Sequence, residues 1–231
     1  MNNMDQGALG SCTANAIAYA YAFDEIKQHN AQFFMPSRLF IYYNIRVMEG
    51  TVNWDAGAMI RDGIVSINQT GVCPEPLWPY VISQFRTRPS TAAYTAATQA
   101  KALSYAALNF AGTVDTATRT VYLKNVLHNG VPFIFGFVVY ESFESDITTR
   151  TGLMPMPGPR EQLLGGHAVC CVGYNDRLGA FICKNSWGSG WGVGGYFYMP
   201  YPFMCGGSGT GTNPALTYTS DFWVVNTITR L

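Results

Sequence analysis

Chemistry at neutral pH needs a nucleophile, a base or a metal, and only three histidines are present to act as the base. His29 sits in the polar run Lys27-Gln28-His29-Asn30 and reads as solvated surface. His128 falls in the last turn of an expected helix, a position that often carries a basic side chain. His167 differs from both. It follows Gly165-Gly166, which allow another backbone to approach closely, and it opens the apolar run Ala168-Val169-Cys170-Cys171-Val172.

Cys12 is the candidate nucleophile, set between Gly10-Ser11 and the first long helical stretch. A thiol at a helix N-terminus feels the positive end of the dipole and unpaired N–H groups, which favour thiolate, above all beside a cationic imidazole. The same position also suits an inert, packed cysteine, so Cys12 taken alone leaves both readings open. The other cysteines are explained by packing: Cys170, Cys171 and Cys183 lie in apolar strands, Cys73 precedes Pro74, and Cys205 is in a glycine-rich loop.

Asn185, in Lys184-Asn185-Ser186-Trp187-Gly188, ends a strand expected to pair with the one that starts at His167. Its amide oxygen can accept an imidazole N–H and fix the ring without adding negative charge, with Trp187 shielding the bond from water. Both residues share a face of a regular hairpin only if opposed residues have numbers of even sum, as an odd-length loop such as Asp176 to Leu178 would give. The bland reading is that Asn185 caps a strand. Gln6, across the turn Gly7-Ala8-Leu9-Gly10 from Cys12, can offer a side-chain N–H to a developing oxyanion together with the Cys12 backbone N–H. Alone, it would be an ordinary surface residue.

Competing motifs fail on context. Gly190-Trp191-Gly192-Val193-Gly194-Gly195 matches a dinucleotide fingerprint formally, but an aromatic strand follows it where a helix is needed. His167, Cys170, Cys171 and Cys183 suggest zinc only on paper, because strand alternation separates the adjacent cysteines and there is no C-x-x-C pair. Asn68-Gln69-Thr70 fits a glycosylation acceptor, relevant only to a secreted chain.

These groups must be held by a scaffold. Ala14, Ile17, Ala18 and Tyr21 recur at helical spacing after Ser11, a candidate N-cap. A second helix opens at Pro36-Ser37, carries Leu39, Phe40, Tyr43 and Val47 on one face, and ends at Gly50. A third spans about Ala56 to Ile67. Gly71, Pro74, Pro76 and Pro79 mark an irregular stretch, Thr91 to Leu108 is ambiguous between helix and loop, and Thr116 to Asn129 reads as a helix stopped by Gly130 and Pro132. Beyond it the pattern turns aromatic and β-branched, giving strands over Val131–Tyr140, His167–Tyr174, Ala180–Trp187, Gly195–Tyr201 and Asp221–Val225. A Gly-, Pro- and Met-rich loop from Thr151 to Gly166 joins the first two strands. The fold class is α+β, with a helical half before an antiparallel half and a cleft between them.

Composition agrees with an enzyme or a binding domain. The chain has 231 residues, 48% hydrophobic and only 12% charged, which excludes intrinsic disorder. Fourteen basic against fourteen acidic residues give zero net charge, which argues against nucleic acid or an anionic membrane as partner. No apolar run reaches the length of a membrane span. No basic-then-apolar leader follows Met1, and the compartment stays open.

Taken together, Gln6-Gly7, Gly10-Ser11-Cys12, Gly166-His167-Ala168 and Asn185-Ser186-Trp187-Gly188-Ser189-Gly190-Trp191-Gly192 resemble the papain family of cysteine peptidases, in the order Cys, His, Asn and over nearly the whole chain. The resemblance implies one papain-like domain over residues 1–231, with a mainly helical lobe over about 1–110 and a β lobe over about 111–231. By position it implies Cys12 as nucleophile, His167 as general base and acid, Asn185 as orienting residue, Gln6 as oxyanion donor and Trp187 as shielding indole. Gly57 matches the glycine whose backbone pairs with an extended substrate, and Ala168 would lie in the pocket for the second side chain before the cleavage point. No metal or organic cofactor is implied.

Departures from the family pattern are informative. The usual cysteine three residues before the nucleophile is Leu9, its partner's place is Asp55, and Thr13 replaces the usual Trp or Tyr. The bridge is therefore expected to be absent, as in a disulfide-poor microbial or viral type branch. With eleven residues before Cys12, the resemblance implies an inhibitory pro-segment missing from this chain. The expected activity is endopeptidase action on peptide or protein substrates by a monomer, through a thioester acyl-enzyme. Alternatives on the same fold are an acyl transferase or transpeptidase, or a catalytically silent peptide-binding module.

Overall fold

Helix α1 (Cys12–Lys27) carries the candidate nucleophile at its first residue and is buried nearly all round, from Thr13 through Ala22 and again at Asp24 and Glu25. The computed structural model describes residues 3–28, 33–110, 115–206 and 218–228, so His29 lies outside the described residues. The apolar stripe expected on α1 is only part of its contact surface. Helices α2 (Arg38–Glu49) and α3 (Ile60–Gln69) cover one side, and a sheet covers the other. Enclosed this way, α1 is mostly apolar, with alanines at five of its buried positions, and it also buries Asn15, Asp24 and Glu25.

Caps form at some expected places and not at others. Ser37 accepts the Phe40 N–H at 3.1 Å, and Gly50 closes α2 in the left-handed conformation with φ 70°. Ser11, by contrast, does not cap α1, because its hydroxyl is engaged with Tyr80 Oη at 2.5 Å and with Asn15 Nδ2 at 3.1 Å. The face of α2 is also turned from expectation: Tyr42, Ile45 and Arg46 are buried while Val47 is exposed. The Arg46 guanidinium explains the turn, since it must reach the carbonyls of Val52, Trp54 and Phe85. Helix α3 starts four residues later than expected, and residues 56–59 stay outside it, with residues 57–59 lining the cleft and the Met59 N–H held by Glu49 at 2.8 Å.

The ambiguous stretch resolves into two elements. Helix α4 (Thr91–Ala97) is capped by Ser90, and strand β1 (Ala102–Ala107) follows it. Helix α5 (Thr116–His128) has an Asp115 cap and ends near Gly130 as expected. Strand β2 (Phe133–Tyr140) leads into the short helix α6 (Asp146–Thr151), then β3 (Leu163–Asn175), β4 (Ala180–Lys184), β5 (Tyr196–Pro200), helix α7 (Tyr201–Cys205) and β6 (Thr219–Ile228). All strand pairs are antiparallel, in the order β1-β6-β2-β3-β4-β5. Strand β1, ahead of the lobe boundary expected near residue 110, thus joins the sheet as its edge.

Two cores lie on the two faces of this sheet. Ala168 and Cys170 of β3 face the helical core with Ile17, Ile64 and Ile134, whereas Val169 and Cys171 face an aromatic core with Phe133, Phe135, Phe143 and Phe197. Period-two alternation therefore puts the adjacent cysteines on opposite faces. All six cysteines are free thiols.

The β3–β4 hairpin reaches its register by an unexpected route. Its loop is the four residues 176–179, and next to it Asn175 opposes Ala180 and Tyr174 opposes Phe181, pairs of odd sum. A bulge at Val172 then shifts the pairing, so that Cys171 opposes Cys183 and Cys170 opposes Lys184, pairs of even sum. The expected odd-length loop is not there. The extra residue of the bulge performs the same parity change, and His167 and Asn185 come to share a face.

Candidate active site

His167 sits within β3, buried to 7% exposure, and its Nε2 lies 2.8 Å from Asn185 Oδ1. With Nε2 engaged there, Nδ1 is the ring nitrogen left for the thiol. Cys12 and His167 line the same two cavities, at the junction between α1 and β3. Burial pushes the Cys12 thiol up, but the hydrogen bond and charge of His167, with the N–H groups of Ala168 and Thr13, outweigh it and hold the thiol below its ordinary value. Four other sulfurs differ: burial raises Cys73 to about 12, Cys205 to about 11, and Cys170 and Cys171 well above the usual range.

The indole of Trp187 stacks on the His167 ring with centroids 5.0 Å apart and planes at 29°. Phe143 packs against both rings, and Trp191 meets Trp187 edge-on at 5.2 Å. Asn185 is 1% exposed, so the imidazole–amide bond is made in a dry, aromatic setting where a hydrogen bond is electrostatically strong.

Gln6 arrives by main-chain pairing rather than by the turn alone. Its N–H donates to Ser186 O at 2.8 Å, the Gly188 N–H donates to Met4 O at 3.0 Å, and Asp5 bridges to Trp187 as an antiparallel pair. The Gln6 side chain is oriented at both ends: the Ser186 hydroxyl donates to Oε1 at 2.7 Å, and Nε2 donates to Leu9 O at 3.0 Å. The buried amide lines the same cavity as Cys12 and His167.

Cavities flank the sulfur on both sides. One of about 450 Å³ is lined by Gly57, Ala58, Ile60, Gly136 and Ala168 beside Cys12 and His167. A second, about 320 Å³, is lined by Gln6, Gly10, Gly57, Val139, Leu164 and Trp187. Gly57, in the left-handed conformation with φ 73°, belongs to both. Of the seven residues singled out from the sequence, Cys12, His167, Gln6, Gly57, Ala168 and Trp187 line these two cavities, and Asn185 is buried behind them, bonded to His167. His128 lies elsewhere, at the end of α5. Among the described residues no group of three or more His, Cys, Asp and Glu is placed to hold a metal ion, and no helix is long and apolar enough to cross a membrane.

Three contributors escaped the sequence reading. Ser186 lies inside the Asn-Ser-Trp motif, and its hydroxyl beside an expected oxyanion donor was the available signal. Tyr80 was masked by its proline-rich surroundings: its Oη donates to Gln6 O at 2.9 Å and contacts Ser11, while the Arg38 guanidinium lies 3.9 Å over its ring. Asp55 accepts the Gly10 N–H, and nothing in its spacing announces that bond.

Comparison with known proteins points in one direction. Residues 3–209 match the family described as papain family cysteine protease. An uncharacterized peptidase C1-like protein of Acanthamoeba polyphaga mimivirus is 50% identical over 229 residues, covering 99% of this chain and 71% of that one. The structure is similar to xylellain, a cysteine protease from Xylella fastidiosa, with TM-score 0.83 and 40% identity over 98% of this chain and 83% of that one. A Carica candamarcensis cysteine protease shares the fold at TM-score 0.64 and 20% identity, covering 96% of this chain and 91% of that one.

Proposed function

The chain belongs to the papain family of cysteine proteases, and from that premise we propose that it is an endopeptidase working through Cys12, His167 and Asn185. The observation that carries this reading is the position of the His167 ring, between the Cys12 thiol and the Asn185 amide oxygen. Asn185 accepts the Nε2 proton and leaves Nδ1 to exchange a proton with sulfur. The Cys12 thiolate attacks the peptide carbonyl, and the electron pair moves onto the carbonyl oxygen. His167 then gives its proton to the departing amine, leaving a thioester. A water, deprotonated by the same ring, cleaves that thioester and restores the thiol.

Gln6 Nε2 and the Cys12 N–H at the start of α1 are the donors for the tetrahedral oxyanion, with Ser186 holding the Gln6 amide the right way round. Trp187 keeps water from the His167–Asn185 bond. Gly57 offers its backbone to an extended substrate, and Ala168 lines the larger cavity, which takes the second side chain before the cleavage point. Room for chain on both sides of the sulfur favours internal cleavage. In this reading residues 1–231 act as one catalytic domain, acting as a monomer on peptide or protein substrates, and an inhibitory pro-segment would occupy the same cleft.

The test is Cys12→Ala. That protein should neither cleave peptides nor be labelled by a thiol-directed epoxide, and unchanged turnover would rule out the nucleophile.

A further inference from the structure

Asp55 stands where the family resemblance places one half of a disulfide, and its carboxylate makes a polar link to the same stretch of chain. Both its oxygens face the Gly10 N–H, at 2.9 and 3.1 Å. The Tyr42 hydroxyl donates to the same carboxylate. Arg46, its guanidinium 4.0 Å over the Tyr42 ring, secures the carbonyls of Val52 and Trp54 and so holds the loop that presents Asp55. A Cβ on Gly10 would sit 3.0 Å from Asp55 Oδ1, close enough to push the carboxylate by a few tenths of an ångström.

The Gly10 N–H belongs to the same peptide group as the Leu9 carbonyl, and that carbonyl accepts Gln6 Nε2 at 3.0 Å. One planar unit therefore has Asp55 at its N–H end and the Gln6 amide at its oxygen end. Because the peptide is rigid about its C–N bond, fixing the N–H direction fixes the oxygen direction as well. A carboxylate on the N–H also polarises the group and strengthens the bond its oxygen accepts.

We propose that Asp55 is a positioning residue that acts through the Leu9–Gly10 peptide to aim the Gln6 amide at the oxyanion, a task that needs no covalent bridge. The inference rests on the reading of Gln6 as oxyanion donor. Asp55 lines neither cavity beside the sulfur, so its loss should damage transition-state stabilisation and spare the thiolate.

The test is a double-variant cycle between Asp55→Ala and Gln6→Ala, with three readouts: kcat/KM on a peptide, affinity for a peptide aldehyde that forms a tetrahedral hemithioacetal, and iodoacetamide labelling of Cys12. D55A should lower kcat/KM about tenfold through kcat and weaken aldehyde binding by about the same factor. Labelling, which forms no oxyanion, should stay within about twofold. D55N, whose amide oxygen can still accept the Gly10 N–H, should stay within about threefold of the parent. In the Q6A background D55A should add almost nothing. Multiplying losses in the double variant, or labelling that slows in step with turnover, would overturn the proposal. Asp55→Ser, too short to reach Gly10, repeats the cycle if D55A fails to fold. C12A assayed alongside separates the two readings, because turnover there refutes the nucleophile rather than Asp55.

Discussion

The His167 ring and the Asn185 side chain meet at 2.8 Å although they come from different strands, and the bond lies beneath the Trp187 indole. The amide oxygen is a neutral acceptor, so it sets the ring's orientation without drawing its proton away from the sulfur. In the proposed mechanism Asn185 is an orienting group whose value is positional.

Asn185→Ala should therefore leave a folded protein with a ring free to turn, and kcat should fall about 10²-fold. KM should change little. A melting temperature close to the parent's, together with that loss, is the expected pattern. Full activity in N185A would show that packing by Trp187 and Phe143 orients the imidazole unaided.

The Cys12 thiol is held below its ordinary value, while burial raises Cys73, Cys170, Cys171 and Cys205. Limited iodoacetamide at about pH 6.5, where unperturbed thiols are almost fully protonated, should add about one equivalent per chain. Peptide mapping should find it on Cys12. In His167→Ala the rate at that pH should drop at least about tenfold, since both the hydrogen bond and the charge that favour thiolate are removed.

Gln6→Ala should cost about 10² in kcat through loss of an oxyanion donor. Ser186→Ala should cost less, because it leaves the donor in place and frees only the Oε1 end of the amide. Steady-state kinetics on the two variants give the order, and a reversal of that order would mean that Ser186 serves more than Gln6.

Asp24, near the end of α1, is 5% exposed, and burial lifts its carboxyl to about 8 against the pull of Lys27. Between the unfolded value near 4 and about 8, the folded chain keeps a proton that the unfolded chain has released, so stability falls as pH rises through that window. Glu25, lifted by burial to about 7, adds the same sign over the lower part of it. Asp24→Asn should remove most of the dependence and raise the melting temperature at pH 8 by at least about 3 °C, with a smaller gain at pH 5. Parallel melting curves for the two proteins across this range would count against it.

Much of this is legible in the sequence. Helical spacing located α1, α2 and α5, and aromatic, β-branched runs located the strands from β2 to β6. Strand β1 was hidden because the alanines of residues 102–107 suit a helix as well as an edge strand, and pairing with β6 decides between them. Helical spacing allows two neighbouring apolar stripes on α2, and Val47 lies on the one that faces solvent. The buried Arg46, tied to distant carbonyls, selects the other one.

The sequence by itself determined which groups are proposed to react, since a cysteine before a helix, a histidine after two glycines and an Asn-Ser-Trp run are local patterns with local chemical meaning. Tertiary structure alone decided how they meet. The bulge at Val172 puts His167 and Asn185 on one face, the pairing of residues 4–6 with residues 186–188 delivers Gln6, and the Asp55 carboxylate reaches Gly10 across 45 residues. Each of these depends on hydrogen bonds between segments remote in the chain, and side-chain periodicity reports only which way a residue faces within its own element.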